Sequence, residues 1–233
     1  MKQVVFPSKV NTYLGDCLEI MPQLPTFDLI WADPPYNVGK NYDNYNDSMD
    51  HKAYMEFMRT FIALALEKST SFALYPPKIH LREFWNLLPD HHVLVLGYSP
   101  AGPRRSNYFH QYVPILVPPN PIKTIPDFWY NVKLPSLGWF FHEQRFDHPA
   151  QTSLDLTKRI IQSFTRPGQS VLDPFSGTGT TAIACLELGR NCTLIEISEK
   201  YYHLAQARIK AFSDQLPLPL NLLPPTQQIA EKG

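Results

Sequence analysis

The sequence predicts an α/β fold, with a doubly wound and mostly parallel seven-stranded sheet that carries helices on both faces. Short β-type runs alternate along the chain with segments of helical periodicity, which is typical of parallel strands joined by crossover helices. With 233 residues, 44% of them hydrophobic, the chain is long enough for one good-sized packed domain. We expect this domain to span residues 1–215, followed by an extended or disordered proline-rich tail at 216–233.

Seven short runs of mainly apolar, β-branched and aromatic residues predict the strands. They cover residues 11–16, 27–32, 71–75, 92–98, 112–117, 170–173 and 192–197. Consecutive prolines follow the second and third runs, Pro34-Pro35 and Pro76-Pro77, and proline cannot continue a hydrogen-bonded ladder. The prolines therefore define where these two strands end.

Four segments between the runs have helical character. The first begins near Asp50, and its apolar residues recur on one face. The others cover residues 153–165, 180–188 and 198–212, and Ser198 is expected to cap the last of them. Residues 37–50 are polar and are predicted to form a mobile loop over the site, whereas residues 118–147 have no regular period.

Two short motifs carry chemical information, and each follows an apolar run. The later one, Asp173-Pro174-Phe175-Ser176-Gly177-Thr178-Gly179, leads from a strand into a helix. Its glycines permit a tight turn and the close approach of a ligand to the backbone. Glu196, at the end of the next strand, can accept hydrogen bonds from ribose hydroxyls. This half of the chain therefore predicts a nucleotide-like cofactor.

Other nucleotide-binding turns fit this motif less well. A dinucleotide fold has a third glycine, but Thr180-Thr181-Ala182 follows Gly179. A phosphate-binding loop contains Gly-Lys-Ser/Thr, which the motif lacks, and Asp173 would repel a phosphate. An acid beside the turn instead suits a cationic cofactor that carries an amine, such as S-adenosylmethionine. A plain strand–turn–helix connection is the remaining alternative.

The earlier motif, Asp33-Pro34-Pro35-Tyr36, is suited to holding a planar amino group. Its prolines have no N–H donors, so that carboxylate and carbonyl acceptors face one place. An amine that donates both hydrogens there turns its lone pair away from its ring, ready to attack. Tyr36 can stack on a flipped base. A rigid exposed turn is the alternative for the motif alone, but its pairing with the glycine turn favours methyl transfer to a base amine.

In these motifs and their order, the chain resembles the β group of DNA amino-methyltransferases, which form N6-methyladenine or N4-methylcytosine. The likeness covers roughly residues 11–212. It implies a Rossmann-like, S-adenosylmethionine-dependent enzyme with permuted motif order, acting on double-stranded DNA, with a short target-recognition insertion at 118–147. It also implies that the catalytic residues are Asp33, Pro34, Pro35 and Tyr36. Aspartate at the first of these positions favours N6 of adenine.

The motifs and the resemblance together assign the remaining site residues. Cofactor binding is assigned to Asp16, Cys17, His148, Gln151, Asp173, Phe175, Ser176, Gly177, Thr178, Gly179, Thr180, Glu196 and Ile197. Substrate contacts are expected from Asn37, Tyr42, Arg104 and Arg105. A solvated surface pair is the alternative for the two arginines. The family usually has Lys-Pro where this chain has Thr152-Ser153, which leaves that edge of the site undefined.

The composition limits the partners and the setting. The 21 basic and 21 acidic side chains balance, which argues against DNA binding through overall net charge. Residues 78–145 nevertheless carry seven basic and four acidic groups. Cys17, Cys185 and Cys192 have neither disulfide nor metal spacing, which favours a reduced, cytoplasmic setting. Their sequence contexts also disfavour carbon-5 cytosine methylation. No metal and no membrane span is expected.

Several alternatives remain open at this stage. N4-cytosine methylation is the nearest, followed by methylation of an RNA or small-molecule amine. A catalytically inactive homologue could instead serve as a DNA-binding or partner subunit. Because the recognition segment is short, a homodimer, a recognition subunit or a restriction endonuclease could accompany the chain.

Overall fold

The computed structural model describes residues 8–42, 45–97, 112–130, 132 and 151–215. Its main sheet consists of β1 (Val10–Leu14), β2 (Phe27–Ala32), β5 (Ser69–Leu74), β6 (His92–Gly97), β7 (Tyr112–Val117), β8 (Phe128–Trp129), β9 (Ser170–Asp173) and β10 (Asn191–Glu196). A separate pair is formed by β3 (Asn41–Tyr42) and β4 (Tyr45–Asn46). Across the described residues, the eight strands of the main sheet lie in the order β1-β10-β9-β2-β5-β7-β6-β8.

The direction of the strands places a ligand-binding crevice in the middle of the sheet. Strands β1, β10, β9, β2 and β5 pair in parallel, and among the described strands of the main sheet only β7 is reversed. The chain leaves β9 toward β10 and leaves β2 toward β5, so the connections diverge between the adjacent strands β9 and β2. Open α/β sheets bind ligands at the carboxyl ends of the strands at such a switch point.

In the described part of the chain, the four predicted helices are present together with two α-helices that were not predicted, and three of the four begin at capping side chains, including the predicted cap Ser198. The helices are α1 (Cys17–Ile20), α2 (His51–Glu67), α3 (Leu81–Leu87), α4 (Leu154–Phe164), α5 (Thr180–Leu188) and α6 (Glu199–Ser213), of which α1 and α3 were not predicted. Asp50 accepts from the first turn of α2, Ser153 from the first turn of α4, and Ser198 from the first turn of α6. These side chains satisfy backbone N–H groups that have no partner inside a helix.

The core lies on both faces of the sheet, which confirms the doubly wound prediction. Side chains alternate along a strand, so Leu29 and Trp31 of β2 pack with α4 and α5 on one face. Ile30 and Ala32 point to the other face, where they join the buried residues of α2 and α3. Because both faces are covered, β2 is apolar at nearly every position rather than at alternate ones.

Within the described residues, the main sheet has one more strand than the seven predicted. Strand β8 lies within residues 118–147, which were expected to be irregular, and it pairs in parallel with β6. Trp129 is buried in the core, and a Cβ atom at Gly97 would meet the Phe128 ring at 2.5 Å. A strand of two residues has no period that could be recognised in the sequence, so pairing and packing alone define it.

The segment 37–50 is organised around a buried carboxylate. The Asp47 side chain is 3% exposed and accepts hydrogen bonds from the backbone N–H groups of Asn37, Val38 and Lys40. Asn37, at φ 55°, exchanges two further hydrogen bonds with the Met49 backbone. The sequence predicts a mobile loop here, and the described residues of this segment contain the short strands β3 and β4 and these hydrogen bonds.

Some predictions fall outside the described residues. They include the tail at 216–233 and most of the predicted insertion at 118–147. Among the helices that the structure describes, none has both the length and the apolar character required to cross a membrane.

Candidate active site

A cavity of about 250 Å³ opens at the switch point, at the carboxyl ends of the parallel strands. The two sequence motifs contribute opposite parts of its lining, because β2 and β9, which precede them, are adjacent. Predicted residues that line it are Asp16, Cys17, Asp33, Pro34, Pro35, Tyr36, Tyr42, Gln151, Asp173, Phe175, Ser176, Gly177, Thr178, Thr180, Glu196 and Ile197.

Asp33 follows β2 directly, and both of its carboxylate oxygens accept hydrogen bonds from hydroxyl groups. The Tyr36 hydroxyl donates to Oδ1 over 2.9 Å, and the Thr152 hydroxyl donates to Oδ2 over 2.6 Å. Burial raises the pKa of Asp33 to about 6, against the opposing effect of these two donors and of the Lys40 ammonium. Asp33 is therefore mostly ionised at neutral pH and is available as an acceptor.

The prolines of the first motif hold its backbone in place. The Pro35 carbonyl accepts a hydrogen bond of 3.0 Å from the hydroxyl of Tyr54, a fully buried residue of α2. No donor from the described residues reaches the Pro34 carbonyl, and Pro34 lines the cavity. One carbonyl thus anchors the loop to α2, and the other remains able to accept a hydrogen bond from a ligand.

Aromatic rings line the same part of the cavity. Tyr36 and Tyr75 have ring centroids 6.0 Å apart with planes tilted by 55°, and Tyr75 also stacks on Trp31 at 6.4 Å. Tyr75 immediately follows β5, and its backbone N–H donates to the carbonyl of Ala32. The Lys40 ammonium lies 6.0 Å from the centre of the Tyr36 ring. These side chains give the cavity aromatic surface beside the Asp33 carboxylate.

The glycine turn is closed by the acid at the end of the next strand. Gly177 has φ 49° and donates its backbone N–H to Glu196 Oε2 over 2.7 Å. The other oxygen of Glu196 accepts from the backbone of Ser198 over 2.9 Å. Burial raises the pKa of Glu196, while these backbone donors act in the opposite direction. The carboxylate is thus fixed at the edge of the cavity by the turn it borders.

Asp173 lies beneath the same turn. Its Oδ1 accepts from the Phe175 backbone over 3.0 Å, and its Oδ2 accepts from the Thr181 hydroxyl over 2.5 Å. Burial raises the pKa of Asp173 to about 7, and the negative charges of Asp33 and Glu196 add to that rise. Three acids thus interact electrostatically across one cavity, which favours a ligand that carries positive charge.

Asp16 borders the cavity from the side of β1. It caps α1 by accepting from the Leu18 backbone over 2.7 Å, and Gly15 donates its N–H to the carbonyl of Glu196 over 2.9 Å. The neighbouring Cys17 thiol is buried, and this burial raises its pKa well above the ordinary value. Cys17 is therefore a protonated, unreactive part of the wall.

Two predicted residues are part of the framework rather than the lining, and three others cannot be placed. Asn37 makes its hydrogen bonds to Met49 and Asp47, because its left-handed backbone turns it into its own loop. Gly179 begins α5, and a Cβ atom there would lie 3.1 Å from that of Ala205. The predicted residues His148, Arg104 and Arg105 lie outside the described residues.

Several lining residues were not predicted from the sequence. They are Gly15, Lys40, Tyr45, Phe57, Tyr75, Thr152, Ser153, Leu156, Pro174, Thr181, Ser198 and Tyr201. Tyr75 had a usable signal, because it ends an apolar run beside two prolines just as Asp33 does. For Thr152, the sequence indicates only that Thr152-Ser153 replaces the Lys-Pro of the family, which predicts no contact with Asp33.

A cluster of metal-binding residue types lies apart from this cavity. Ligand atoms of His51, His80 and Glu83 lie within 4.8 Å of one another, and none of the three residues lines the cavity. The His51 and Glu83 side chains are 57% and 40% exposed, so their contact at 3.8 Å is a surface one. The cluster joins the start of α2 to that of α3, and no sequence spacing indicated it.

Comparison with known proteins agrees with this arrangement. The family model described as DNA methylase, of the N6/N4 methyltransferase type, matches residues 78–207. The DNA adenine methyltransferase YhdJ of Escherichia coli K12 is 28% identical over 89% of this chain and 85% of its own length. The protein YubD of the same strain, which is named as a methylase, is 30% identical over 84% of this chain and 88% of its own length.

Solved structures share the fold. A complex of M1.HpyAVI with SAM aligns with a TM-score of 0.64 and 24% identity, covering 86% of this chain and 98% of that one. The cytosine-N4-specific PvuII DNA methyltransferase aligns with a TM-score of 0.67 and 16% identity, over 90% and 92% of the two chains. With the family match over more than half of the chain, and with both motifs at one cavity, the protein belongs to the N6/N4 family of DNA methyltransferases.

Proposed function

We propose that this protein transfers a methyl group from S-adenosylmethionine to the exocyclic amine of a base in double-stranded DNA, and that the base is adenine. One observation carries the proposal: Asp33 and Asp173, at the ends of adjacent strands, line a single cavity. An amine acceptor and a cofactor turn must share a cavity if the two reactants are to meet. Holding both in reacting geometry supplies much of the catalysis in such a reaction.

The chemistry of the lining supports the choice of cofactor. S-adenosylmethionine carries a sulfonium and an ammonium group, and the three coupled acids Asp33, Asp173 and Glu196 favour cations. Glu196 stands at the strand end where it can accept from ribose hydroxyls, and Asp16 lies beside it for the adenine. Gln151 lines the side assigned to the methionine end. The likeness in fold to the M1.HpyAVI–SAM complex agrees with this assignment.

The other half of the cavity suits a flipped base. The ring surfaces of Tyr36 and Tyr75 can contact the faces of the base, as aromatic side chains commonly do with extruded bases. The Asp33 carboxylate and the Pro34 carbonyl then accept the two hydrogens of the exocyclic amine. Lys40 lies 6.0 Å from the Tyr36 ring and supplies a positive charge on the same side of the cavity.

In the transfer itself, the amine nitrogen forms a bond to the methyl carbon as the carbon–sulfur bond breaks. When bound, the cofactor supplies an electrophilic methyl group on a positively charged sulfur. Asp33 and Pro34 direct the nitrogen lone pair toward that methyl by accepting its two hydrogens. The methylated nitrogen is cationic, and one of its protons leaves after the transfer. Catalysis thus depends on positioning and electrostatics, with no strong base required.

Adenine is favoured over cytosine for two reasons. Aspartate leads the amine-binding motif, which in the family favours adenine, and the relative YhdJ is named a DNA adenine methyltransferase. N4-cytosine methylation is the second candidate, since the fold is shared equally with a cytosine-N4-specific enzyme. We retain a homodimer, a recognition subunit and a restriction endonuclease as prospective partners, because the segment at 118–147 is short for reading a sequence.

Mass spectrometry of nucleosides tests the proposal. Unmethylated genomic DNA is incubated with the protein and with cofactor labelled in its methyl group, then digested. Labelled N6-methyladenine is the expected product, and far less of it should form in the same time with an Asp33→Ala variant. If labelled N4-methylcytosine were the only product, the target base would be cytosine and not adenine. If no DNA yielded a labelled nucleoside, the proposed activity would be refuted.

A further inference from the structure

The side chain of Thr152 makes a direct contact with the amine-binding acid. Its hydroxyl donates to Asp33 Oδ2 over 2.6 Å, across 119 residues of sequence, and Thr152 lines the cavity. The Tyr36 hydroxyl occupies the other oxygen, Oδ1. A carboxylate has about four lone-pair sites, so each oxygen can accept one further hydrogen bond. The contact therefore leaves Asp33 able to accept a base amine.

Thr152 is held in place by the start of α4. The next residue, Ser153, is 2% exposed and accepts the Leu156 N–H over 3.1 Å. The Ser153 carbonyl accepts the Thr157 hydroxyl over 2.8 Å and the Thr157 N–H over 3.0 Å. Thr152 directly precedes this anchored residue, so its hydroxyl is a well-positioned donor that constrains the orientation of the Asp33 carboxylate.

The electrostatic surroundings of Asp33 explain why the Thr152 hydroxyl is important to its charge state. Among the described residues that line the cavity, Lys40 is the one that carries a positive charge, and it lies on the 37–50 loop. The other titratable groups facing the cavity are the acids and phenols Asp16, Asp173, Glu196, Tyr36, Tyr42, Tyr45, Tyr75 and Tyr201, with the Cys17 thiol. Burial is the effect that opposes a negative charge on Asp33, whereas the Thr152 and Tyr36 hydroxyls and the Lys40 ammonium favour it.

We propose that Thr152 is a positioning residue, whose hydroxyl orients the Asp33 carboxylate and keeps it in the anionic form that accepts the base amine. The inference rests on the proposed function and deepens its amine-binding site. A donor to the charged form favours that form. Without the Thr152 bond, the pKa of Asp33 rises further above its present value of about 6. More of the enzyme then carries a protonated Asp33 at neutral pH, and the amine loses an acceptor.

The test compares pH profiles of kcat/KM for DNA at saturating cofactor. A Thr152→Val variant keeps the shape of the side chain and removes the hydroxyl. We expect its acid limb to move up by about one pH unit, which lowers activity only about twofold at pH 7 but about tenfold at pH 5. Thr152→Ser should restore the wild-type limb. Thr60→Val is the matched control, because its hydroxyl bonds a backbone carbonyl of α2 and Thr60 does not line the cavity, and its profile should not move.

A second readout does not depend on activity. Carboxyl carbons of aspartate are labelled with ¹³C, the Asp33 signal is identified by its loss in Asp33→Asn, and its midpoint is followed by NMR. The midpoint should rise in Thr152→Val and stay in place in Thr60→Val. Unchanged midpoints and superimposable rate profiles in Thr152→Val would overturn the inference. A wild-type protein that methylates no DNA would instead refute the proposed function, whatever the NMR midpoints.

Discussion

The backbone nitrogen of Gly177 donates to the Glu196 carboxylate over 2.7 Å, which ties the glycine turn to the end of the neighbouring strand β10. Gly177 follows β9 and Glu196 ends β10, so one hydrogen bond links the two strand ends that border the cofactor half of the cavity. Glu196 thereby shapes the turn and presents its carboxylate at the cavity. The two functions cannot be separated in a substitution of this residue.

Replacing Glu196 by glutamine should weaken cofactor binding. The substitution removes the charge and places an amide N–H₂ near the backbone donors of Gly177 and Ser198. Loss of one charge-assisted hydrogen bond costs about 1.5–3 kcal/mol, so Kd for S-adenosylmethionine should rise at least about tenfold. Isothermal titration calorimetry measures it. The control is Glu199→Gln, an exposed acid at the start of α6 whose loss should leave Kd unchanged.

An Asp33→Ala variant should separate binding from turnover. Asp33 belongs to the amine side of the cavity and acts on the cofactor only through its charge, so Kd for the cofactor should rise much less than the rate falls. The rate of methyl transfer should fall by about 100-fold or more, because a preorganised electrostatic contact to the reacting group is lost. Single-turnover assays with labelled cofactor provide the rate. Normal turnover in this variant would contradict the role assigned to Asp33.

Cofactor affinity should depend on pH through Asp173. Burial raises the pKa of this acid to about 7, so it is ionised above that value and gains a proton below it. A cationic cofactor favours the ionised form, so affinity should fall as the pH is lowered from 7.5 to 6. In an Asp173→Asn variant, affinity should be weaker at pH 7.5 and vary less over the same range. An equal pH dependence in both proteins would exclude Asp173 as its source.

Removal of the Tyr75 ring should weaken binding of the target base. Stacking of a base on an aromatic side chain contributes about 1–3 kcal/mol, so Tyr75→Ala should raise KM for DNA by about tenfold. Tyr75→Phe keeps the ring and should change KM little. Tyr130→Ala is the control, since Tyr130 is 72% exposed and does not line the cavity. Equal effects of Tyr75→Ala and Tyr130→Ala would mean that Tyr75 does not contact the base.

The central sheet and its motifs were predictable because local chemistry defines them. Strand β2 ends at two prolines, and α4 and α6 begin at serines that cap them, so these boundaries follow from short stretches of sequence. Asp33 and Asp173 could be paired because parallel strands bring their carboxyl ends to one edge. Both predictions depend only on the order of elements along the chain.

Other features depend on contacts between distant segments. Thr152 and Asp33, which form a hydrogen bond, are 119 residues apart in the sequence. Asp47 can accept its three backbone hydrogen bonds only when its loop has folded. Strand β8 is too short to show a β-type alternation in the sequence, and the position of Phe128 against Gly97 results from packing. Asn37 looked like a substrate residue because it follows the motif, yet its backbone conformation directs it to Met49. No local pattern contains this information.

A crystal structure of the protein with a non-transferring cofactor analogue and a short DNA duplex would test the shared cavity most directly. Our account predicts the analogue against the turn at 177–179 and an extruded adenine beside Tyr36, with its amine nitrogen about 3 Å from the Asp33 carboxylate. An analogue bound elsewhere, or a base whose amine lies away from Asp33, would contradict it.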